Sequence, residues 1–262
     1  MPSALVRLAH GVAVLLCFNQ LGRDVCAPFA RALLGRLHVA KFCRVAVEMV
    51  TYAAFTWLTL ASLLSEPWGL RPAAWYEAGQ SIAPMHAACC VLYAARYIQA
   101  AVTLAYDPHG RDFAAMMLHH VLTAFVVLMS LRGHARLGLG VMCLFEPSDV
   151  LLHAAKLCKY YADARRSRAA ALMADVLFVL FMLSFFVLRL GVLPYVWWTA
   201  ESARPGERPP GTYVAWTLLA GIIALNLYWA GLILKVLKGL VARGHAADAR
   251  SDDEDDQDDQ DD

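Results

Sequence analysis

Charged residues are scarce in this chain of 262 residues, since only 17% of them are Asp, Glu, Lys or Arg. A soluble domain usually carries about a quarter. Hydrophobic residues make up 60% of the chain and are gathered into long runs, as segments that cross a bilayer require. The composition therefore excludes an ordinary soluble domain and predicts an integral membrane protein.

Paired cysteine motifs are also missing. The chain has seven cysteines, and none of them forms a C-x-x-C pair. An odd, scattered set argues against a disulfide framework. We expect buried free thiols instead, because a free cysteine behaves as a small apolar residue.

Acidic charge is concentrated at one end of the chain. Residues 251–262 hold nine of the 22 acidic residues, so the remainder has 23 basic against 13 acidic residues. No basic patch is interleaved with aromatics, so no nucleic-acid partner is predicted. We predict a disordered cytosolic tail over 246–262, because like charges repel and nothing apolar can be buried. Ser251 precedes three acidic residues, a pattern for acid-directed kinases, although a purely solubilising tail explains it equally well.

Seven runs are long and apolar enough to cross a bilayer, which takes about 20 mostly apolar residues. They lie near residues 4–22, 45–64, 84–105, 114–131, 137–155, 171–198 and 212–238. The predicted fold class is an all-α integral membrane protein of about seven transmembrane helices. The first run contains Arg7 and His10 and invites comparison with a signal peptide. It has no basic start and no evident small-residue cleavage site, so we prefer an uncleaved span.

Basic residues indicate the orientation, because cytosolic loops carry an excess of Lys and Arg. Basic residues cluster at 23–44, at 156–168 and at 235–243, and seven crossings put all three regions on one side. We therefore predict cytosolic loops at the first two regions, a cytosolic tail and a lumenal N-terminus. The Pro- and Gly-rich segment 200–211 is expected to be an irregular lumenal loop.

Ionisable residues inside two predicted spans point to function, because charge within a bilayer is costly. The fourth span contains His119 and His120, and the fifth contains Glu146, Asp149 and His153. The spacing i, i+3, i+7 puts the last three on one stripe of a helix, which cannot face lipid. A short loop joins the two spans, so we expect antiparallel neighbours with the stripe facing the histidines. Adjacent helical residues differ by about 100° in direction, so one histidine is expected to point at it.

Several kinds of chemistry suit this pattern. A carboxylate beside a histidine fixes its tautomer and stabilises the imidazolium, which prepares a general base or a nucleophile. A buried polar network that only pins two helices is the structural alternative. Histidines and carboxylates also bind iron or zinc, but the nine histidines are scattered and only one pair is adjacent. A receptor would also have seven spans, although no receptor signature is evident.

An ordered set of residues resembles the longevity-assurance motif of the ceramide synthases, within the wider TLC family. The motif comprises R-D-F-A-A-M-M-L-H-H-V-L-T from Arg111, then Arg136, Gly138, F-E-P-S-D at 145–149, Lys156 and Tyr160. Further similar residues are Tyr97, Asp107, F-F-V-L-R-L-G-V-L-P with Arg189, and L-N-L-Y-W-A-G-L-I-L-K with Tyr228 and Trp229. The resemblance covers roughly residues 41–255.

The resemblance implies a sphingoid base N-acyltransferase of the endoplasmic reticulum membrane, which uses acyl-CoA to make ceramide or dihydroceramide. It implies a six-helix core plus an N-terminal span, and we divide the chain into 1–40 (span and cytosolic loop), 41–245 (catalytic membrane domain) and the tail. The implied catalytic residues are His119, His120, Glu146 and Asp149. The implied supporting or substrate-binding residues are Tyr97, Arg111, Asp112, Arg136, His153, Lys156, Arg189, Tyr228 and Trp229. Acyl-CoA would be a co-substrate without a bound cofactor or metal, and a homodimer or heterodimer is expected from the resemblance alone.

Three positions depart from the family pattern. Where many members have H-D-x-x-D, this chain has Phe145 and Glu146 in place of the first two residues, and His153 stands where many have Glu. A glutamate can still accept a hydrogen bond from an imidazole, so the departures bear on rate and substrate range more than on reaction class. They leave one alternative, a TLC-type protein that binds, senses or organises lipids without acyl transfer.

Overall fold

The computed structural model describes residues 4–76, 83–108, 110, 112–202 and 212–243, and within these ranges it is helical without strands. The first five long helices are α1 (Ala4–Leu34), α2 (Val39–Leu64), α3 (Pro84–Tyr106), α4 (Phe113–Ser130) and α5 (Ala135–Arg165). Helix α6 (Arg168–Phe185) continues through a π-helix (Phe186–Val192) into α7 (Leu193–Ser202), and α8 is Thr212–Arg243. A short 3-10 helix, Pro72–Tyr76, lies between α2 and α3.

Seven helical segments in the described part of the chain are long and apolar enough to cross a membrane. They are α1 to α5, the continuous segment Arg168–Thr199, and Tyr213–Gly239. The predicted all-α membrane fold is therefore confirmed. Ser251, the acidic tail and residues 203–211 lie outside the described residues, so what was predicted for them stays a prediction.

Two helices extend well beyond their predicted boundaries. Helix α1 continues from residue 22 to Leu34, and α5 continues from residue 155 to Arg165. The basic regions predicted as loops are mostly helical, with turns only at 35–38 and 166–167. Hydropathy ends a span at the first cluster of charge, but a helix continues past the apolar layer where its long side chains reach water or a partner.

The cysteines are free thiols, as expected, but their burial differs. Cys43, Cys89 and Cys90 are buried, whereas Cys17 on α1 is exposed. Helix α1 presents most of its apolar residues outward, and a thiol on that side faces the surroundings of the bundle. The expectation of buried thiols is therefore correct for Cys43, Cys89 and Cys90, whereas Cys26, Cys143 and Cys158 are half-buried.

The packing order of the helices decides what surrounds the ionisable residues. Helix α5 packs mainly against α2 and α6, whereas α4 packs mainly against α3 and α8. Although only the turn 131–134 joins α4 to α5, these two helices share little direct contact. Two large α3 side chains, Tyr93 and Tyr97, lie in the core between them. The expected direct pairing of α4 with α5 is thus replaced by pairing through α3.

Polar contacts hold α1 against the rest of the bundle, because few of its side chains are buried. The Arg23 guanidinium donates two parallel hydrogen bonds to Asp107, which follows α3, at 2.8 and 3.0 Å. At the C-terminal end of α1, Arg165 of α5 donates to the Leu33 and Ala32 carbonyls at 2.6 and 3.0 Å. Carbonyls in the last turn of a helix lack partners within the helix, so Arg165 caps α1.

We expect Asp107→Asn to loosen α1 from the bundle. The change keeps the shape of the side chain but removes the charge from a bidentate pair whose partners are about one-fifth exposed, at a cost on the order of 1 kcal/mol. Limited proteolysis of the turn 35–38 in detergent measures the loosening. Adding Arg23→Gln to Asp107→Asn should cause little further loss, because the pair is already broken. Losses that simply add would show that the pair contributes nothing.

Candidate active site

Glu146 lies in the interior of the bundle, with 3% of the residue exposed. Its Oε1 accepts hydrogen bonds from the phenols of Tyr93 and of Tyr97, the latter at 3.3 Å. The two tyrosines are four residues apart on α3, so they lie on the same face of that helix. A carboxylate in such a place needs donors, and α3 supplies them.

The second carboxylate of the stripe, Asp149, is paired with an arginine. Arg189 Nη2 donates to Asp149 Oδ2 and to the Phe145 carbonyl, both at 2.6 Å. The guanidinium also lies over the rings of Phe145 and Phe185, at 4.8 and 5.3 Å from their centroids. Arg189 belongs to the π-helix, and such irregular turns are frequent at functional sites. The resemblance had singled out Arg189, and the structure gives it a partner.

Both histidines are buried, each with 6% of the residue exposed. The Tyr97 ring lies against both, with centroid distances of 5.6 Å to His119 and 5.8 Å to His120. This differs from the expectation that one histidine would face the stripe alone. In the described ranges, the Glu146 carboxylate bonds to two tyrosines and the Asp149 carboxylate bonds to an arginine. Because Tyr97 contacts both Glu146 and the two imidazoles, it connects them.

His119 has the wider set of neighbours. Its ring stacks on Phe145 of α5 at 6.3 Å and meets the edge or face of Trp229 of α8 at 5.2 Å. Its Nδ1 lies 3.4 Å from the Thr123 hydroxyl, one turn along α4. Helices α3, α4, α5 and α8 therefore all contribute side chains around one imidazole.

His153 is the third residue of the stripe, and its ring contacts a second group of polar residues. Its Nδ1 lies 2.7 Å from the Asp149 carbonyl, and its ring packs on Tyr52 of α2 at 4.9 Å. Tyr52 in turn lies under the guanidinium of Arg96, which pairs with Glu48. A chain of polar contacts thus crosses α2, α3 and α5.

Tyr93, Arg96 and Thr123 also belong to the site but were not predicted from the sequence. Arg96 carried a usable signal, because an arginine in the middle of an apolar run on α3 marks an interior partner. Tyr93 and Thr123 carried none, since tyrosine and threonine are common in any span. Their role becomes visible only from the hydrogen bonds to Glu146 and His119.

Of the remaining predicted residues, Tyr228 and Arg136 lie away from this cluster. Tyr228 is 48% exposed, although its neighbour Trp229 is buried. Arg136 lies over the Trp68 ring at 5.1 Å and donates to the Ala74 carbonyl at 3.3 Å, in the first turn of α5. Asp112 precedes α4, Lys156 lies one turn beyond His153, and Arg111 lies outside the described residues.

An apolar cavity opens beside the tyrosines, and the empty space within it and at its open mouth together amounts to about 660 Å³. One end reaches Tyr93, Tyr97 and Phe145, and the other reaches Ser130 and His134. Its walls include Val126, Leu137, Val141, Leu219 and Ile222. Burial lowers the pKa of His134, in the turn between α4 and α5, from its usual 6.5, so this ring is neutral at pH 7. The cavity therefore suits a hydrocarbon chain.

No three His, Cys, Asp or Glu side chains gather in a group that could hold a metal ion, as far as the described ranges extend. The histidine pair and Glu146 do not form such a group. There, Tyr97 occupies the space that links the imidazoles to the carboxylate. The geometry is thus one of hydrogen bonds and aromatic packing.

Comparisons with known proteins show that most of the chain is similar to a known protein family. The family model for the TLC domain matches residues 41–235. ASC1-like protein 3 of Oryza sativa subsp. japonica is 31% identical over 265 residues, which covers 95% of this chain and 88% of that protein. Human ceramide synthase 5 is 34% identical over 154 residues, covering 56% and 37%. Ceramide synthase 1 LOH3 of Arabidopsis thaliana is 27% identical over 237 residues, covering 82% and 75%.

Proposed function

This chain belongs to the TLC domain family, and from that premise we propose that it is a ceramide synthase that transfers an acyl chain from acyl-CoA to the amine of a sphingoid base. The observation that carries the proposal is the buried histidine pair, linked through Tyr97 to Glu146 at one end of an apolar cavity. Several similar proteins are named ceramide synthases. An apolar cavity that ends at ionisable groups fits a lipid substrate with a reactive end.

The reaction forms a carbon–nitrogen bond and breaks a carbon–sulfur bond. The amine attacks the thioester carbonyl, an amide results, and CoA leaves as a thiolate that takes up the proton lost by the amine. An imidazole can accept the proton from the amine and return it to the thiolate. Alternatively, the imidazole attacks first, and the amine then displaces it from an acyl-imidazole. Both routes need a neutral imidazole with an available lone pair.

His119 is the histidine that we assign to this role. The Thr123 oxygen can accept from Nδ1–H, which selects the tautomer with its lone pair on Nε2. Tyr97, Phe145 and Trp229 surround the ring with aromatic carbon. Excluding water in this way protects an activated acyl group from hydrolysis. When the imidazole becomes charged, the Glu146 carboxylate beyond Tyr97 stabilises it.

The cavity is the place that we assign to a hydrocarbon chain of the substrate. Each methylene moved from water into an apolar site contributes about 0.8 kcal/mol. The chain would run from Phe145 along α5 toward Leu137, because both residues line the cavity. The depth available along this helix face then limits the chain length.

We expect Val141→Phe to shift the preference toward shorter acyl chains. Val141 is buried on the cavity wall, and a larger ring there fills space that a long chain would need. The ratio of rates with the longest and shortest accepted acyl-CoA should fall by about tenfold or more. Val176→Phe, the same change on an exposed face of α6, should leave the ratio as it is. A ratio unchanged by Val141→Phe would place the chain elsewhere.

We also place this activity in the endoplasmic reticulum membrane, with a lumenal N-terminus and a cytosolic tail. The contact between Arg165 and the end of α1 puts the basic ends of α1 and α5 on the same side of the bundle. Excess basic charge on one side favours the cytosol for that side. Cysteine labelling by a membrane-impermeant reagent, with single cysteines added at the two ends of the chain, tests the orientation. Labelling of the tail from the lumenal side would show the opposite orientation.

The proposed function is tested with purified protein, a sphingoid base and a panel of acyl-CoAs. A ceramide synthase releases CoA and N-acylated base in equal amounts, and mass spectrometry follows both. A TLC-type protein that only binds or organises lipids would retain the lipid without releasing CoA. This second outcome, from folded protein and with every acyl-CoA in the panel, would contradict the proposal.

A further inference from the structure

Two buried polar atoms on α8 lack a hydrogen-bond partner among the described residues: Asn226 Oδ1 and Trp229 Nε1. Asn226 is fully buried and Trp229 is 7% exposed. The Asn226 amide nitrogen donates to the Ile222 carbonyl at 3.1 Å, so within that side chain only the oxygen lacks a hydrogen-bond partner among the described residues. Unsatisfied polar atoms are costly in an apolar interior and call for an explanation.

The ring of Trp229 lies next to the proposed catalytic histidine, and Asn226 lies on the same helix. Asn226 and Trp229 are three residues apart, so they share one face of α8. The Trp229 ring centroid is 5.2 Å from that of His119. The cavity approaches from the other direction. It is lined by Ile222, which lies one turn before Asn226, and by Thr123, which contacts His119. The pair therefore lies along α8 between the cavity wall and the imidazole.

The chemistry of the pair selects the group that would satisfy it. Asn226 Oδ1 can only accept a hydrogen bond, and Trp229 Nε1 can only donate one. A thioester carbonyl would satisfy the tryptophan alone, and an ammonium group would satisfy the asparagine alone. A hydroxyl group both donates and accepts, so it alone among these groups satisfies both atoms at once.

We infer that Asn226 and Trp229 form a subsite for a hydroxyl group adjacent to the amine of the acceptor substrate. The inference rests on the proposed function, in which that acceptor is a sphingoid base, a long-chain amine with hydroxyl groups on the neighbouring carbons. Holding one hydroxyl on α8 orients the amine toward His119. The subsite therefore distinguishes amino alcohols from simple long-chain amines of the same length.

A competition between acceptors tests this subsite. Purified protein receives one acyl-CoA together with sphinganine and an analogue that lacks the hydroxyl at carbon 1 or at carbon 3, and both amide products are measured in the same tube. The product ratio does not depend on how much of a variant is folded. We expect the unchanged protein to prefer sphinganine over at least one analogue by about tenfold or more.

Asn226→Leu and Trp229→Phe should each reduce this preference to within about threefold of unity, by slowing the reaction of sphinganine rather than that of the analogue. Trp197→Phe is the matched control. The Trp197 indole nitrogen is also buried without a partner among the described residues, but its ring packs on Trp216, 6.2 Å away between α7 and α8. The Trp197→Phe variant should keep the ratio of the two amide products that the unchanged protein gives.

Two results overturn the inference while leaving the proposed function standing. One is amide formation by the unchanged protein without a preference between the acceptors. The other is an unaltered ratio in Asn226→Leu and Trp229→Phe, with both products reduced equally. No amide from any acceptor would instead reject the proposed function, and the subsite with it.

Discussion

Replacing His119 by alanine should lower the rate of N-acylation by about 10³-fold, because general acid–base catalysis by a histidine contributes about 10² to 10⁴. His120→Ala should lower it less. Both imidazoles touch Tyr97, but His119 also contacts Phe145, Trp229 and Thr123. The rate constant at saturating acyl-CoA and sphingoid base, with equal amounts of folded protein, measures the difference.

Two controls belong to this experiment. His10→Ala changes an exposed histidine on α1 and should leave the rate constant unaltered. Thr123→Val removes the hydroxyl partner of His119 Nδ1 and should lower the rate constant by about tenfold, since one neutral hydrogen bond is lost. A larger loss from His120→Ala than from His119→Ala would reverse the roles that we assign to the two residues.

Arg189→Leu should strongly destabilise the protein, by about 3 kcal/mol or more, because it leaves Asp149 without its cation inside the bundle. The pair is close, at 2.6 Å, and the arginine side chain is only 5% exposed. The same change removes the donor to the Phe145 carbonyl. Thermal unfolding in detergent, followed by the loss of monodisperse protein, measures the destabilisation.

The double variant Arg189→Leu/Asp149→Leu separates charge from packing. If an unpaired carboxylate causes the loss, removing it as well should restore part of the stability. Acyl transfer should remain low in the double variant, since the Phe145 carbonyl and the ring beside His119 still lack the guanidinium. A double variant less stable than Arg189→Leu alone would show that the ion pair is not the cause.

Two of the three departures from the family pattern, Phe145 and Glu146, lie among the residues of the candidate site. Phe145 takes the place of a histidine, and here its ring packs between the Arg189 guanidinium and His119. Glu146 takes the place of an aspartate, and its carboxylate reaches the phenols of Tyr93 and Tyr97 on α3. A phenyl ring cannot take up a proton, so Phe145 cannot take part in proton transfer as a histidine at that position could.

The fold was predictable because the length and apolarity of a span are properties of a single segment. The ends of α1 and α5 were not, because Arg23 and Arg165 lie within helices whose charges are satisfied by Asp107 and by the carbonyls of α1. Hydropathy records the charge of a residue but not its partner.

The site was predictable only in part, for a related reason. Helical periodicity places Glu146, Asp149 and His153 on one stripe, but it does not say which helix that stripe meets. Tyr97 between Glu146 and the histidines, and Arg189 against Asp149, depend on how α3 and the π-helix pack against α5. Asn226 was not singled out, because one polar residue in an apolar run has no meaning until its burial and its neighbours are known.

The most direct test of the central claim compares the unchanged protein with His119→Ala/His120→Ala in the conversion of a labelled sphingoid base and acyl-CoA. Both proteins are reconstituted in the same lipid and checked for equal folding. We expect N-acylated base from the unchanged protein and none above background from the double variant. Equal product from both would show that the histidine pair is not the catalytic group. No product from either would contradict acyl transfer itself.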